Sequence, residues 1–61
     1  MKTLAHTADD LVGTFRMFGK DGPAYRVLRK AEMAKVRIIV VETGEELDYL
    51  VTRAVEDPEV E

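Results

Sequence analysis

Four groups of residues have the types and spacing to do chemistry. His6, Asp9 and Asp10 stand three and four positions apart, so a turn of helix would turn one imidazole and two carboxylates toward a shared metal ion. Glu42, Glu45, Glu46 and Asp48 place four carboxylates around one turn, the residue type that acid/base catalysis and calcium binding both use. Arg26, Arg29, Lys30, Lys35 and Arg37 set five cations against Glu32 alone within twelve residues, enough for a ribbon that tracks phosphates. Phe15, Phe18, Tyr25 and Tyr49 are the aromatic residues from which a base-stacking platform would be built.

Each group has a plainer reading. The histidine is the single one in the chain and cysteine is absent, so a metal at residues 6–10 would have three ligands and no organised support. The four carboxylates alternate between strand faces around an exposed tip and do not converge. A charged turn of that kind also discourages edge-to-edge aggregation. The cations fit an ordinary charged strand surface, and Arg37 has Asp48 to answer it. Small chains spend aromatics on their cores, which suits Tyr49; Phe18 and Tyr25 flank a glycine-rich turn and are the ones predicted to be exposed. Serine and cysteine, the commonest nucleophiles, do not occur. No phosphate-binding loop is present. The sequence therefore predicts no catalytic residue, no cofactor and no metal, and a protein that is not an enzyme.

The elements that position these residues centre on Lys35 to Leu50. Val36 to Val41 is almost entirely β-branched, which suits a packed strand. Thr43-Gly44 precedes Glu46 to Tyr49 and offers the positive φ of a tight hairpin. With those two as the loop, Val40 faces Leu47 and Ile38 faces Tyr49. One face then holds Val36, Ile38, Val40, Leu47 and Tyr49. The other holds Arg37, Ile39, Val41, Glu46 and Asp48. A slip of one residue would mix the faces. Ile39 and Val41 are large apolar side chains on the second face, and such a strand is expected to be covered on both sides. The order of expectation is cover by the chain itself, then by a second copy, then by a foreign partner.

Upstream, Leu11 to Phe18 reads as a first strand and Ala24 to Lys30 as a second, joined through Gly19-Lys20-Asp21-Gly22-Pro23. Ala31 to Ala34 contains no strong turn residue and reads as a loose connection, or as the extension of a long hairpin. After Tyr49 the period changes: Leu50/Ala54 and Val51/Val55 are pairs four apart, which predicts a short helix over 50–57 with Asp48 as its N-cap. Residues 1–10 read as a flexible arm, 11–57 as one small β domain and 58–61 as a tail.

Composition narrows the class. A 61-residue chain with no cysteine has neither disulfides nor thiolate metal sites to brace it, which leaves self-association as a staple. Net charge is −3, unevenly spread: residues 1–41 hold eight Lys/Arg and four Asp/Glu, residues 42–61 one Arg and eight Asp/Glu. The acidic total opposes nucleic acid unless the charges segregate in space. No apolar run approaches the roughly 20 residues of a membrane span, and no leader is visible, so a cytoplasmic protein is expected.

LVGTFRMFG, Gly22-Pro23-Ala24-Tyr25, VVETGEELDYL and Asp57-Pro58-Glu59 together resemble a family of short alphaproteobacterial proteins of unknown function. The likeness covers residues 11–59, and ETGEELDY is its most specific piece. It implies a bacterial, cytoplasmic, single-domain protein and assigns no activity or site.

The sequence thus predicts a mainly β (α+β) fold: a small, curled antiparallel sheet of three or four strands with a short C-terminal helix, of which an incomplete barrel of the SH3 kind is one form. The predicted role is an interaction module for a protein partner or a homodimer, through a surface drawn from Arg26, Arg29, Lys30, Lys35, Arg37, Ile39, Val41, Phe18 and Tyr25. The alternative is a nucleic-acid-associated regulator using strands 24–30 and 35–41.

Overall fold

The computed structural model describes residues 4–60. Helix α1 (Leu4–Leu11) is followed by strands β1 (Phe15–Met17), β2 (Ala24–Ala31), β3 (Lys35–Val40) and β4 (Glu46–Leu50), and by helix α2 (Val51–Ala54). The strands form one open antiparallel meander in the order β1-β2-β3-β4. The fold is mainly β, with both helices packed on one face of the sheet.

That inner face is the core. Val36, Ile38 and Val40 alternate as buried residues along β3, Tyr25 and Val27 do so along β2, and Leu47 and Tyr49 close over them from β4. Period-two alternation is what a sheet covered on one side requires. Ala8 and Leu11 from α1 and Val51 and Ala54 from α2 complete the cluster.

Four sequence expectations are corrected. Residues 1–10 do not form a flexible arm as a whole: α1 occupies Leu4–Leu11, with Ala8 and Leu11 buried. Residues 1–3 of that arm lie outside the described residues. Leu11 therefore ends a helix and does not begin a strand. Gly13 is the stop signal, with φ at +88°, a conformation glycine adopts without strain just past a helix end. Thr14 then seals the terminus, its hydroxyl donating to the Leu11 carbonyl at 2.6 Å. Gly13 and Thr14 pair with Val27 through backbone bonds before β1 proper begins.

The β3–β4 hairpin is the second correction. Ile38 lies opposite Leu47 and Ile39 opposite Glu46, two residues away from the pairing that a two-residue loop demands. The loop is four residues, 41–44, closed by Val40 N–H to the Glu45 carbonyl and Gly44 N–H to the Val40 carbonyl, with Gly44 at φ +76°. A slip of two leaves every side chain on its own face, so the segregation of apolar residues holds in both registers and cannot tell them apart.

The third concerns the ends. Asp48 does not cap α2; it pairs with Arg37, and Leu50 occupies the cap position with no side-chain bond. The helix is four residues long, Val51–Ala54, not the eight predicted. Nor are residues 58–60 a free tail. Glu59 bridges Arg16 in antiparallel fashion, with Met17 N–H donating to Pro58 and Val60 N–H to Phe15. The chain thereby lines the outer edge of β1. Glu61 lies outside the described residues.

The fourth is the β2–β3 connection. Met33 and Ala34 both adopt left-handed backbone, at φ 62° and 57°, where a Cβ costs roughly 1–2 kcal/mol. The connection is consequently tight, and it aims the Ala34 carbonyl at Val51 N–H, 2.9 Å away, so the turn anchors the start of α2. Ala34→Gly should remove the Cβ strain while keeping that bond, raising stability by about 0.5–1 kcal/mol, measured as a higher urea midpoint at unchanged slope.

Candidate functional site

Two places in the molecule gather polar chemistry. The first is built by residues the sequence reading treats as unrelated. Tyr25 lies on the inner face of β2, Tyr49 on the inner face of β4, and Gly19 in the β1–β2 turn. Asp57, beyond the end of α2, meets all three. Its Oδ2 accepts from Tyr25 Oη at 2.7 Å and from Tyr49 Oη at 3.0 Å; its Oδ1 accepts from Gly19 N–H at 3.1 Å. A buried phenol needs a partner for its hydroxyl, and here one carboxylate serves two.

The rings pack as well as the hydroxyls. Phe18 and Tyr25 centroids are 4.5 Å apart, Phe18 and Tyr49 5.3 Å in an edge-on contact, and Tyr25 and Tyr49 5.4 Å. Arg16 closes the cluster from β1, donating to the Ala54 carbonyl at 3.3 Å and to the Asp57 carbonyl at 3.0 Å. It supplies a cation and donors to the orphan carbonyls at the end of α2.

This cluster has the chemistry of a clasp. Burial pushes the Tyr25 phenol well above its ordinary range, reinforced by its hydrogen bond to Asp57. The Tyr49 phenol is raised for the same two reasons in the same order. Both hydroxyls therefore stay protonated and act as donors. Phe18 and Tyr25, predicted to be exposed, are corrected here: Tyr25 is fully buried and Phe18 packs half-buried on the core. Sequence reasoning missed Asp57 and Arg16. The available signal was two tyrosines near the core face with no side-chain acceptor on that face of their own strands.

The second place is the outer face of the sheet. Register sets Phe15, Arg26, Ile39 and Glu46 side by side in one row across all four strands. Met17, Ala24 and Val41 follow towards one end. The Arg26 guanidinium lies over the Phe15 ring at 5.7 Å. Phe15 is 43% and Val41 56% exposed, and Ile39 is half-buried by its strand neighbours. No element covers this row among the described residues, so the cover by the chain itself that is expected first for Ile39 and Val41 is not found among them.

The cations divide. A bulge between Val27 and Arg29 adds one residue to β2 and reverses the faces after it. Arg29 thus comes beside Arg37 on the outer face. Lys30 goes to the inner side, where it pairs with Asp9 of α1 at 2.9 Å. Arg37 bonds Asp48 at 3.2 Å and Glu46 at 3.4 Å, and the bond to Asp48 leads in pushing its guanidinium up from the ordinary value. Arg29 and Lys35 form no ion pair with a described residue. Lys30 is therefore set apart from the other four, which share the outer face, with Arg37 already paired. His6 lies in α1, where only its backbone is described, and among the described residues no three His, Cys, Asp or Glu side chains converge. No helix among them is long and apolar enough to cross a membrane.

Fold and surface together define a small α+β module: a four-stranded open sheet clasped on one face and bare on the other. The chain belongs to a family of unknown function (DUF5397), whose model matches residues 3–61. No curated protein matches it.

Asp57→Ala should leave both phenols without an acceptor and cost about 2–4 kcal/mol, read from urea unfolding, with Asp57→Asn losing less because one oxygen remains. The raised phenols also set an alkaline limit. Above about pH 10 tyrosine in the unfolded chain loses its proton while Tyr25 in the folded chain keeps it, so the unfolded state binds fewer protons and stability falls as pH rises. The loss should approach about 1.4 kcal/mol per pH unit per such tyrosine, and Tyr25→Phe should flatten the profile measured by thermal melts between pH 8 and 11.

Proposed function

We propose that this protein is a non-enzymatic protein-interaction module that binds through the outer face of its sheet. The observation behind the reading is the Phe15–Arg26–Ile39–Glu46 row: apolar and charged side chains presented together on a rigid sheet with no element of the described chain above them. Contiguous apolar surface rimmed by charge marks interaction sites more often than chance exposure does. An aromatic ring and an arginine stacked on it are the residue types that dominate binding energy at protein interfaces. The tyrosine–aspartate cluster contributes by fixing the frame, because its acceptors and donors are already occupied by one another. A sequence free of cysteine is compatible with a cytoplasmic setting.

The nucleic-acid reading has less support. It needs the cations of β2 and β3 on one surface, and Lys30 and Arg37 are spent on Asp9, Glu46 and Asp48.

A photo-crosslinking residue at Val41 should trap a discrete protein adduct in cells, whereas the same residue at the exposed Thr52 of α2 should not. Equal labelling from both positions, or none from Val41, would remove the proposal. Titration with labelled oligonucleotides gives the rival its chance: submicromolar binding that persists at physiological salt would favour it.

A further inference from the structure

Beyond the outer face, the geometry points to a second binding surface: the open edge of β4, which takes up an extended peptide of alternating cationic and apolar residues as an added antiparallel strand. The hydrogen-bond phase of the hairpin carries the inference. Val40 N–H donates to the Glu45 carbonyl at 2.8 Å, and Val51 N–H to the Ala34 carbonyl at 2.9 Å. Both pairs continue the register that sets Ile38 against Leu47 and Val36 against Tyr49. In an antiparallel ladder every second pair is the hydrogen-bonded one. Leu47 and Tyr49 therefore turn their backbone groups toward β3. Glu46 and Asp48 turn both N–H and C=O away from it, and Leu50 turns its N–H the same way. β4 is the last strand of the sheet, and no described group bonds these outward ones. Such an edge is the template onto which an extended segment adds.

The side chains set the chemistry of the occupant. On the outer side of this edge stand Glu46 and Asp48, both exposed, and Arg37 reaches them from β3 at 3.4 and 3.2 Å. Their other flank faces the open edge. On the inner side stand Leu47 and Tyr49, half-buried at the rim of the core. Glu45 precedes them and forms no ion pair with a described residue. The sign changes at the far end, where Lys35 lies across from Leu50 and α2 carries Arg53. An added strand with Lys or Arg across from Glu46 and Asp48 sets opposite charges side by side. Its alternate residues, across from Leu47 and Tyr49, extend the apolar face. A second copy does not fit. Ladder bonds join residues whose groups both point outward, so a two-fold union of β4 with β4 that engages Glu46 sets Asp48 on Asp48, Glu46 on Asp48 or Glu46 on Glu46. Like charges directly opposite destabilise a pair. The edge thus opposes its own copy and favours a strand of opposite charge.

Titration of the full chain with a fluorescent, end-blocked Lys-Val-Lys-Val-Lys-Val peptide tests it, read by anisotropy and by backbone amide spectra. Saturable binding below 1 mM is expected, weakening several-fold between 0.05 M and 0.5 M salt. It should be about tenfold tighter or more than binding of Glu-Val-Glu-Val-Glu-Val or of the block peptide Lys-Lys-Lys-Val-Val-Val. The amides of Glu46, Asp48 and Leu50 should exchange freely in the unbound protein and gain protection with peptide present. Methylating the lysine amides of the peptide should abolish binding, whereas methylating the valine amides should not, because only the former face β4. Leu50→Pro removes one outward N–H. Leu50 already has φ at −65°, the angle proline imposes, so the variant should fold and bind about fivefold or more weakly. Absence of saturable binding at 1 mM overturns the inference. So does equal binding of the block peptide, indifference to lysine-amide methylation, or a wild-type dimer joined through β4. Peptide binding reports on β4 and the Val41 crosslink on the outer face, so the two ideas fail separately.

Discussion

One carboxylate holds the ends of this molecule together. Asp57 stands beyond α2 yet bonds a tyrosine on β2, a tyrosine on β4 and a backbone amide in the β1–β2 turn. Arg16 grips the same stretch of chain from β1 through two carbonyls. Domains of this size bury little apolar surface, and here nine hydrophobic residues form the described core. Charge-assisted hydrogen bonds, individually stronger than neutral ones, therefore matter in proportion. Pro58 to Val60 follow Asp57 directly and line the outer side of β1 through their own backbone bonds. The end of α2 is held by Arg16. The Asp57 clasp ties β2, β4 and the β1–β2 turn, segments distant in sequence, to one side chain.

What could be read from the sequence follows from the range of each signal. The core face of the β3–β4 hairpin was legible because alternation is a local property: Val36, Ile38, Val40, Leu47 and Tyr49 are all where period two puts them. The register was not, because a displacement by two leaves that alternation intact. Helix α1 was hidden for a different reason. Leu4, Ala8 and Leu11 give only a thin apolar stripe, and what secures it is Thr14 and the packing of Ala8 and Leu11 on the core, neither of which is a local propensity. The bulge after Val27 has no glycine to announce it, so the separation of Lys30 from Arg29 could not be foreseen. Asp57 carried no local signal for its role. An anion near a helix C-terminus is unfavourable in isolation, but a carboxylate receiving three donors is not isolated.

The two faces of the sheet divide the work. On the inner face every polar group has a partner supplied by another part of the chain, and the tyrosines are locked in their protonated form. On the outer face the register lines up an aromatic ring, an arginine, an isoleucine and a glutamate in a single row, and leaves them uncovered by the described chain. Ile39 and Val41 were the residues that betrayed this surface in the sequence, as large apolar side chains out of place on a charged face. The cations were a less reliable guide, since two of five are consumed internally.

The segment from Pro58 to Val60 has a topological consequence. It runs antiparallel along β1, so that side of the sheet has no free backbone donors over the length it covers, while β4 has no neighbour beyond it among the described residues. A sheet open at both sides can add copies head to tail without limit, and a fibril is the result. With β1 covered over that stretch, β4 is the longer uncovered edge strand among the described residues, and a union of β4 with β4 would be two-fold and close on itself.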